Sequence, residues 1–109
     1  MLSIDINNKI KMVRGDTACI EITLDNHKLV PGDQVKFTVK QSMTAQEPSI
    51  MKTVTEFTEN GTAMIVLLEE DTMNLVAADY LYEIEVRLAD GTIDTIITAT
   101  QFKLIADLG

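Results

Sequence analysis

The sequence predicts an all-β fold: an antiparallel β-sandwich of about seven strands with one short helical crossover, with a small barrel as the alternative. Apolar and polar residues alternate along most of the chain, which is the period-two pattern of strands that bury one face and expose the other. Dipeptides that favour turns separate the alternating segments, and no segment has the periodicity of a long helix. The chain has 109 residues, so we expect one domain that spans 1–109.

The strands follow from this alternation in chain order. The first combines 2–6 with 10–13, and the others are predicted at 17–24, 34–40, 50–57, 62–68, 79–88 and 92–105. The alternation is clearest in the second, third and sixth of these, where every second residue is apolar. The residues expected to face the core in these three strands are Ile20, Ile22, Leu24, Val35, Phe37, Val39, Tyr80, Tyr82, Ile84, Val86 and Leu88.

Glycine marks the predicted turns between the strands. Gly15 lies between two strands, and Pro31-Gly32 precedes the strand at 34–40. Asn60-Gly61 and Asp90-Gly91 both suit turns that need a positive φ, so each is a hairpin candidate. Asp90-Gly91 is expected to join 79–88 to the last strand, because long alternating segments flank it.

One segment, 69–76, lacks alternation and contains good helix formers, which predicts a single helical turn capped by Asp71 or Thr72. In immunoglobulin-like domains, a tyrosine after such a crossover donates its hydroxyl hydrogen bond back to the backbone before it. Tyr80 is the first candidate for this role and Tyr82 the second. The apolar residues of the last strand change phase, so we predict a β-bulge near 98–100.

Composition and motifs disfavour several function classes. Nine Lys and Arg stand against seventeen Asp and Glu, and this net charge of −8 disfavours binding to nucleic acid or to an anionic membrane. Cys19 is the one cysteine, so the chain forms no internal disulfide, which fits assembly in a reducing cytoplasm. The sequence contains no dinucleotide fingerprint, phosphate loop, calcium loop or cluster of metal ligands. We therefore expect no cofactor and no metal.

The tripeptide Arg14-Gly15-Asp16 has two interpretations. It matches a motif that some adhesion ligands present to integrins. Glycine followed by aspartate at a strand junction is also typical of a turn, since glycine permits a positive φ and aspartate bonds to nearby amides. We favour the turn.

Catalytic and sugar-binding sites are disfavoured on the same grounds. His27, the one histidine, lies in a polar loop, and no serine of the chain lies in a nucleophile-elbow motif, so we expect no catalytic triad. Sugar-binding sandwiches stack pyranose rings on exposed aromatic side chains. The chain has no Trp, and the core is expected to bury most of its aromatic residues, namely Tyr80, Tyr82, Phe37 and Phe102.

Residues 63–68, within the strand predicted at 62–68, are apolar on both faces, which a strand of an antiparallel sandwich normally is not. The sequence leaves two alternatives for what covers the second face of this strand. The helical turn at 69–76 would cover it with Met73 and Leu75, or a partner chain would cover it. The candidate subunit interface therefore consists of Met64, Val66 and Leu68.

The order of these motifs resembles an immunoglobulin-like domain of bacteriophage and prophage tails. Gly-Asp-Thr opens a strand at 15–17, and Gly-Asp precedes V-x-F-x-V-K at 35–40. D-T-x-x-L at 71–75 then leads to Y-x-Y-E-I at 80–84. These motifs are similar to those of the N-terminal domain of baseplate upper proteins. The resemblance covers nearly the whole chain and departs from the family at 77–79, where members often carry glycine.

The resemblance implies an immunoglobulin-like sandwich that serves as a non-enzymatic structural or assembly module of a tail or baseplate. Its partners would be other virion or tail proteins, or further copies of the chain. Its location would be the virion, after assembly in the bacterial cytoplasm. The family contributes no catalytic residues. The alternative function is a host-surface glycan- or protein-binding module, which needs exposed aromatic side chains or a concave group of loops.

Overall fold

The computed structural model describes residues 2–5 and 7–108. Among the described residues, strands hold 47% and the one helix is a single short turn, so the predicted all-β class is confirmed. In chain order the elements are β1 (Ser3–Ile4), β2 (Ile10–Val13), β3 (Ala18–Ile22), β4 (Gln34–Lys40), β5 (Ile50–Val54), β6 (Ala63–Leu67), α1 (Glu69–Thr72), β7 (Asp79–Arg87) and β8 (Ile93–Ile105).

The strands form two sheets of unequal size. The large sheet has the order β1-β2-β8-β7-β4-β5, and the small sheet consists of β3 and β6. Every neighbouring pair is antiparallel except β2 and β8, which run parallel. Together the sheets form a curled half-barrel.

Both sheets contribute to one apolar core, because the alternation of each strand turns every second side chain inward. The rings of Phe37, Tyr82 and Phe102 pack together in the large sheet, with centroid separations of 5.7, 6.3 and 6.4 Å. Ile20, Ile22, Ala63, Ile65 and Leu67 come from the small sheet. The inward residues predicted in 17–24, 34–40 and 79–88 are all buried or partly buried against this core.

The strand predictions are confirmed in position and shortened at some ends. Strand β5 ends at Val54 rather than at 57, because Val54 pairs with Val35, next to the first residue of β4. The first predicted strand divides into β1 and β2, which pair with each other. Ile6, which that prediction includes, lies outside the described residues.

The predicted β-bulge in the last strand is present. Tyr82 pairs with Thr100 and Ile84 pairs with Ile97, so one residue of β7 lies opposite two residues of β8, at 98–99. A second irregularity follows at once, because Glu85 pairs with Thr95. The first extra residue reverses the phase between Ile97 and Phe102, as the prediction requires. The second restores the phase, so Ile93 lies opposite the outward Arg87 and is 53% exposed.

One of the two predicted hairpins is present and the other is not. Asp90-Gly91 joins the antiparallel strands β7 and β8, as predicted. Asn60-Gly61 makes a tight turn, but the hairpin prediction is wrong there because β5 and β6 belong to different sheets. Gly61 has a φ of 78° and packs against the loop before β4, where a Cβ would lie 2.4 Å from Lys28 Cγ. The turn therefore carries the chain from one sheet to the other.

The crossover contains a shorter helix than predicted, with a different cap. Helix α1 spans Glu69–Thr72, and Leu68 rather than Asp71 or Thr72 is its N-cap. Asp71 lies in the first turn instead, where its carboxylate accepts a hydrogen bond from the Leu68 N–H at 2.7 Å. Thr72 is buried, and its hydroxyl accepts a hydrogen bond from the Gly15 N–H at 2.8 Å.

Asp71 of α1 also forms an ion pair with Lys52 of β5. Lys52 lies beside Val54 on edge strand β5, and its Nζ reaches Asp71 Oδ2 at 2.9 Å. Burial tends to raise the pKa of Asp71, but the Leu68 amide and the Lys52 ammonium outweigh burial and hold this pKa below its ordinary value. A charge that points inward also protects an edge strand from pairing with another sheet.

Tyr80 makes the hydrogen bond predicted from its position after the crossover. Its hydroxyl donates to the Val76 carbonyl oxygen at 2.6 Å, four residues earlier. The Tyr82 hydroxyl donates instead to the Asn8 carbonyl oxygen, and burial raises the pKa of Tyr82 to about 12. The two tyrosines therefore tie different loops to the same strand.

Replacing Tyr80 with phenylalanine tests the bond that fixes the crossover. We expect Tyr80→Phe to lower the free energy of unfolding by about 1 kcal/mol, because the ring keeps its place and only the hydroxyl bond to Val76 is lost. Urea denaturation followed by circular dichroism measures the change. A free energy of unfolding equal to that of the wild type would show that this bond does not stabilise the fold.

Candidate functional site

The outer face of the small sheet carries the candidate interface. Cys19 lies opposite Val66 and Glu21 lies opposite Met64, and Leu68 follows at the end of β6. These five residues are named the small-sheet face. Val66 and Leu68 are 48% and 42% exposed, whereas Ile65 and Leu67, which alternate with them, are fully buried. The face arises because β6 is apolar at every position while only one of its sides meets the core.

The crossover does not cover this face. Leu75 packs against the core, so it does not lie over the outer side of β6. Met73 is itself 49% exposed, and Val66 and Leu68 remain open. The interpretation in which the helical turn buries these side chains is therefore wrong for Val66 and Leu68, and only Met64 is half-buried.

The small-sheet face is acidic as well as apolar. Residues 17–24 and 62–73, which hold both of its strands and the helix, contain no Lys, Arg or His. Glu21 lies on the face, and Glu69 and Glu70 follow Leu68 on exposed positions of α1. A partner for this face must therefore offer apolar side chains together with positive charge.

The outer face of the large sheet has the opposite character. Lys36 and Lys40 alternate with buried residues along β4, and Arg87 lies opposite Gln34 on β7. Met51 is 54% exposed on β5, and Met43 is exposed in the loop that follows β4. Lys36, Lys40, Met43, Met51 and Arg87 are named the large-sheet face. They border two half-open depressions on the sheet surface, which Glu83 and Glu85 also line.

The Arg14-Gly15-Asp16 turn is confirmed as a structural element. The Asp16 N–H donates to the Val13 carbonyl oxygen at 3.1 Å, and Gly15 has a φ of 86°. The Arg14 guanidinium donates to Asp107 Oδ1 at 2.8 and 3.1 Å and to the Leu75 carbonyl oxygen at 3.2 Å. Arg14 therefore fixes the end of β2 to the crossover and to the segment after β8.

His27 lies in a loop as predicted, but it has a partner that the sequence did not indicate. Its Nε2 lies 2.8 Å from Asp33 Oδ2. Asp33 is 2% exposed, and its carboxylate also accepts hydrogen bonds from the N–H groups of Val30 and Ala89, at 3.0 and 2.9 Å. The hydrogen bond with His27 and then the two amides hold the pKa of Asp33 below its ordinary value of 3.8.

The Asp33 cluster joins two turns. Within residues 2–5 and 7–108, no serine hydroxyl makes a hydrogen bond with His27. The carboxylate holds the turn before β4 against the turn after β7, because it accepts hydrogen bonds from Val30 in the first turn and from Ala89 in the second. The signal in the sequence was the Gly-Asp pair that opens the strand at 34–40, since a buried aspartate at a turn commonly accepts backbone amides.

Aromatic side chains do not form a stacking surface in the part of the chain that the structure describes. Phe37, Tyr80, Tyr82 and Phe102 are at most 3% exposed, and Phe57 packs partly buried against the core. Among the described residues, no three His, Cys, Asp or Glu side chains come together in an arrangement that suits a metal ion.

Comparison with protein-family models and with curated protein sequences found no match to this chain. Within the described residues, no helix is both long enough and apolar enough to cross a bilayer.

Proposed function

We propose that the chain is a non-enzymatic structural or assembly module of a bacteriophage or prophage tail or baseplate. The observation that carries the proposal is the small-sheet face, on which Val66 and Leu68 are exposed to solvent although the side chains that alternate with them are buried in the core. Exposed apolar side chains grouped on one sheet face are typical of protein contacts. The order of the strand, turn and crossover motifs resembles that of phage tail domains. This resemblance is the reason for proposing a tail or a baseplate as the particle.

The fold proposed for the module is an immunoglobulin-like antiparallel sandwich of about seven strands, with the two sheets as its layers. Three features favour it: the separate β3–β6 sheet, the parallel pairing of β2 with β8, and the bond from Tyr80 to the crossover. In this arrangement the small-sheet face is the outside of one layer. Met64, Val66 and Leu68 would contact a neighbouring subunit of the particle.

The alternative of a glycan-binding module receives less support. Such modules need an exposed aromatic side chain to stack on a sugar ring, and the five aromatic residues here are all buried or half-buried. The depressions on the large-sheet face are half-open and are bordered by flexible Lys and Met side chains.

Mass spectrometry of purified particles tests the proposed function. Phage or tail particles produced by the bacterium that encodes the chain should contain it at a fixed ratio to the other tail proteins. Replacing the wild-type gene with Val66→Asp should remove the chain from the particles, because a carboxylate on the contact face would be buried without a partner. The matched control is Ile4→Asp, since Ile4 is also an apolar strand residue and is 46% exposed.

Absence of the wild-type chain from particles in which the other tail proteins are detected would overturn the proposal. Equal incorporation of Val66→Asp and Ile4→Asp would show instead that the small-sheet face is not the contact. Both variants are first checked by circular dichroism, so that loss of folding is not mistaken for loss of contact.

A further inference from the structure

The outer faces of the two sheets differ in charge. The outside of the large sheet carries more cations than anions, although the chain as a whole is acidic. Charged side chains on the outside of the large sheet comprise five cations (Lys11, Lys36, Lys40, Arg87 and Lys103) and three anions (Asp79, Glu83 and Glu85). The whole chain has only nine cations against seventeen anions. Most of the cations therefore lie on one side of a molecule that is acidic elsewhere.

The other side has the complementary pattern. Glu21, Glu69 and Glu70 surround exposed Val66 and Leu68, and no cation occurs in either strand or in α1. The large-sheet face offers exposed Met43 and Met51 beside Lys36, Lys40 and Arg87. Glu83 and Glu85 lie among these cations, so the outside of the large sheet has an excess of two positive charges, five cations against three anions. The exposed apolar groups of the small sheet have only acidic neighbours.

From this complementarity we infer that the partner of the small-sheet face is the large-sheet face of a second copy of the chain. The inference rests on the proposed role of the small-sheet face in assembly, and it names the partner. Contact between two small-sheet faces would bring Glu21, Glu69 and Glu70 of both copies together, and like charges across an interface oppose association. Contact with the large-sheet face places these carboxylates near lysine and arginine, while Val66 and Leu68 meet methionine, whose flexible side chain adapts to such surfaces.

The geometry makes this contact head-to-tail. The two faces lie on opposite sides of the shared core, so a copy that uses one face leaves its other face free. Contacts between two different patches continue from copy to copy and produce a ring or an open stack, whereas a two-fold dimer would stop at two chains.

Two variants that each disable one face test the inference. Val66→Asp adds a negative charge to the small-sheet face and leaves the large-sheet face intact. Lys36→Glu with Lys40→Glu reverses the charge of the large-sheet face and leaves the small-sheet face intact. Size-exclusion chromatography with light scattering then measures the mass of the wild type, of each variant and of their equimolar mixture over a range of concentrations.

We expect the wild type to gain mass with concentration and to lose mass as salt is raised, since exposed charges are screened by salt. Each variant alone should remain a monomer. The mixture should form a species of two chains and grow no further, because only one intact pair of faces remains. Ile4→Asp should associate like the wild type. If Val66→Asp fails to fold, Leu68→Asp replaces it on the same face.

Three results would overturn the head-to-tail contact. The first is a wild type that stays monomeric at every concentration. The second is self-association of the Lys36→Glu, Lys40→Glu variant, which would indicate contact between two small-sheet faces. The third is a mixture that stays monomeric although the wild type associates. None of these results removes the chain from tail particles, so the particle experiment separately decides the proposed function.

Discussion

Replacing Phe37 with alanine is expected to lower the free energy of unfolding by about 3–5 kcal/mol. Phe37 is fully buried at the centre of β4, and its ring centroid lies 5.7 Å from that of Tyr82 and 6.3 Å from that of Phe102. The substitution removes the ring that both neighbours contact and leaves a cavity between strands that pairing holds in place. Because a domain of this kind is stable by roughly 5–15 kcal/mol, the loss is a large part of the total.

Urea denaturation measures this loss, and Met51→Ala is the matched control. Met51 pairs with Thr38 on the neighbouring strand, next to Phe37, but its side chain points outward and is 54% exposed. We expect the control to change the free energy of unfolding by no more than about 0.5 kcal/mol. If Phe37→Ala leaves too little folded protein to measure, Phe37→Leu gives a smaller loss in the same direction. Equal effects of Phe37→Ala and Met51→Ala would contradict a core centred on Phe37.

Replacing Asp33 with alanine is expected to lower the free energy of unfolding by about 3 kcal/mol at neutral pH, because hydrogen bonds to a buried charged acceptor are strong and their loss leaves amides unpaired. The Val30 and Ala89 N–H groups both donate to this carboxylate, and His27 lies beside it. The turns before β4 and after β7 would lose their link. Asp25→Ala is the control, since Asp25 lies in the same loop region and is exposed.

The contribution of Asp33 also predicts a pH dependence. Its pKa in the folded chain lies below the ordinary value of 3.8. The stability that Asp33 confers is therefore complete above pH 3.8 and is lost as the pH falls through the lower, folded-state pKa. The difference in the free energy of unfolding between the wild type and Asp33→Ala should thus shrink on acidification below pH 3.8.

Denaturation curves of both proteins at several pH values test this dependence. Subtracting the variant from the wild type cancels the contribution of Asp71, whose pKa is also lowered but does not depend on Asp33. A difference that grows as the pH falls would show that Asp33 is not held as a carboxylate.

The local pattern of the sequence predicted the strands well, because alternation reports directly on which side chains face the core. Val35, Phe37 and Val39 are all fully buried, as their spacing requires. The bond of Tyr80 was predictable for a similar reason, since it reaches back only four residues. The bulge followed from a change of phase within one strand.

Contacts between distant segments were not predictable in this way. Arg14 bonds to Asp107 across 93 residues, and Lys52 of β5 forms an ion pair with Asp71 of α1. The Asn60-Gly61 turn shows why: its dipeptide suits a hairpin, but whether the flanking strands pair depends on the register of β5 with β4 and of β6 with β3. The alternation of apolar and polar residues within a strand does not show which other strand it pairs with.

The candidate interface was predictable in part. The apolar character of Met64, Val66 and Leu68 is visible in the sequence, but their exposure depends on where the crossover packs. The large-sheet face escaped notice because its lysines occupy the ordinary outward positions of alternating strands. Only the division of the strands into two sheets shows that five of the nine cations lie outside the large sheet, while exposed apolar residues and glutamates share the outside of the small sheet.

Cys19 provides the most direct test of the central claim that the small-sheet face is buried in assembly. This cysteine is exposed, lies opposite Val66 and is the only one in the chain. Its rate of reaction with a water-soluble maleimide should be that of an open thiol in the dilute chain and several-fold slower in purified particles. A cysteine placed at Ile4 in a Cys19→Ser background should react equally in both. If Cys19 reacts as fast in the particle as in the dilute chain, the face is open there and the account is wrong.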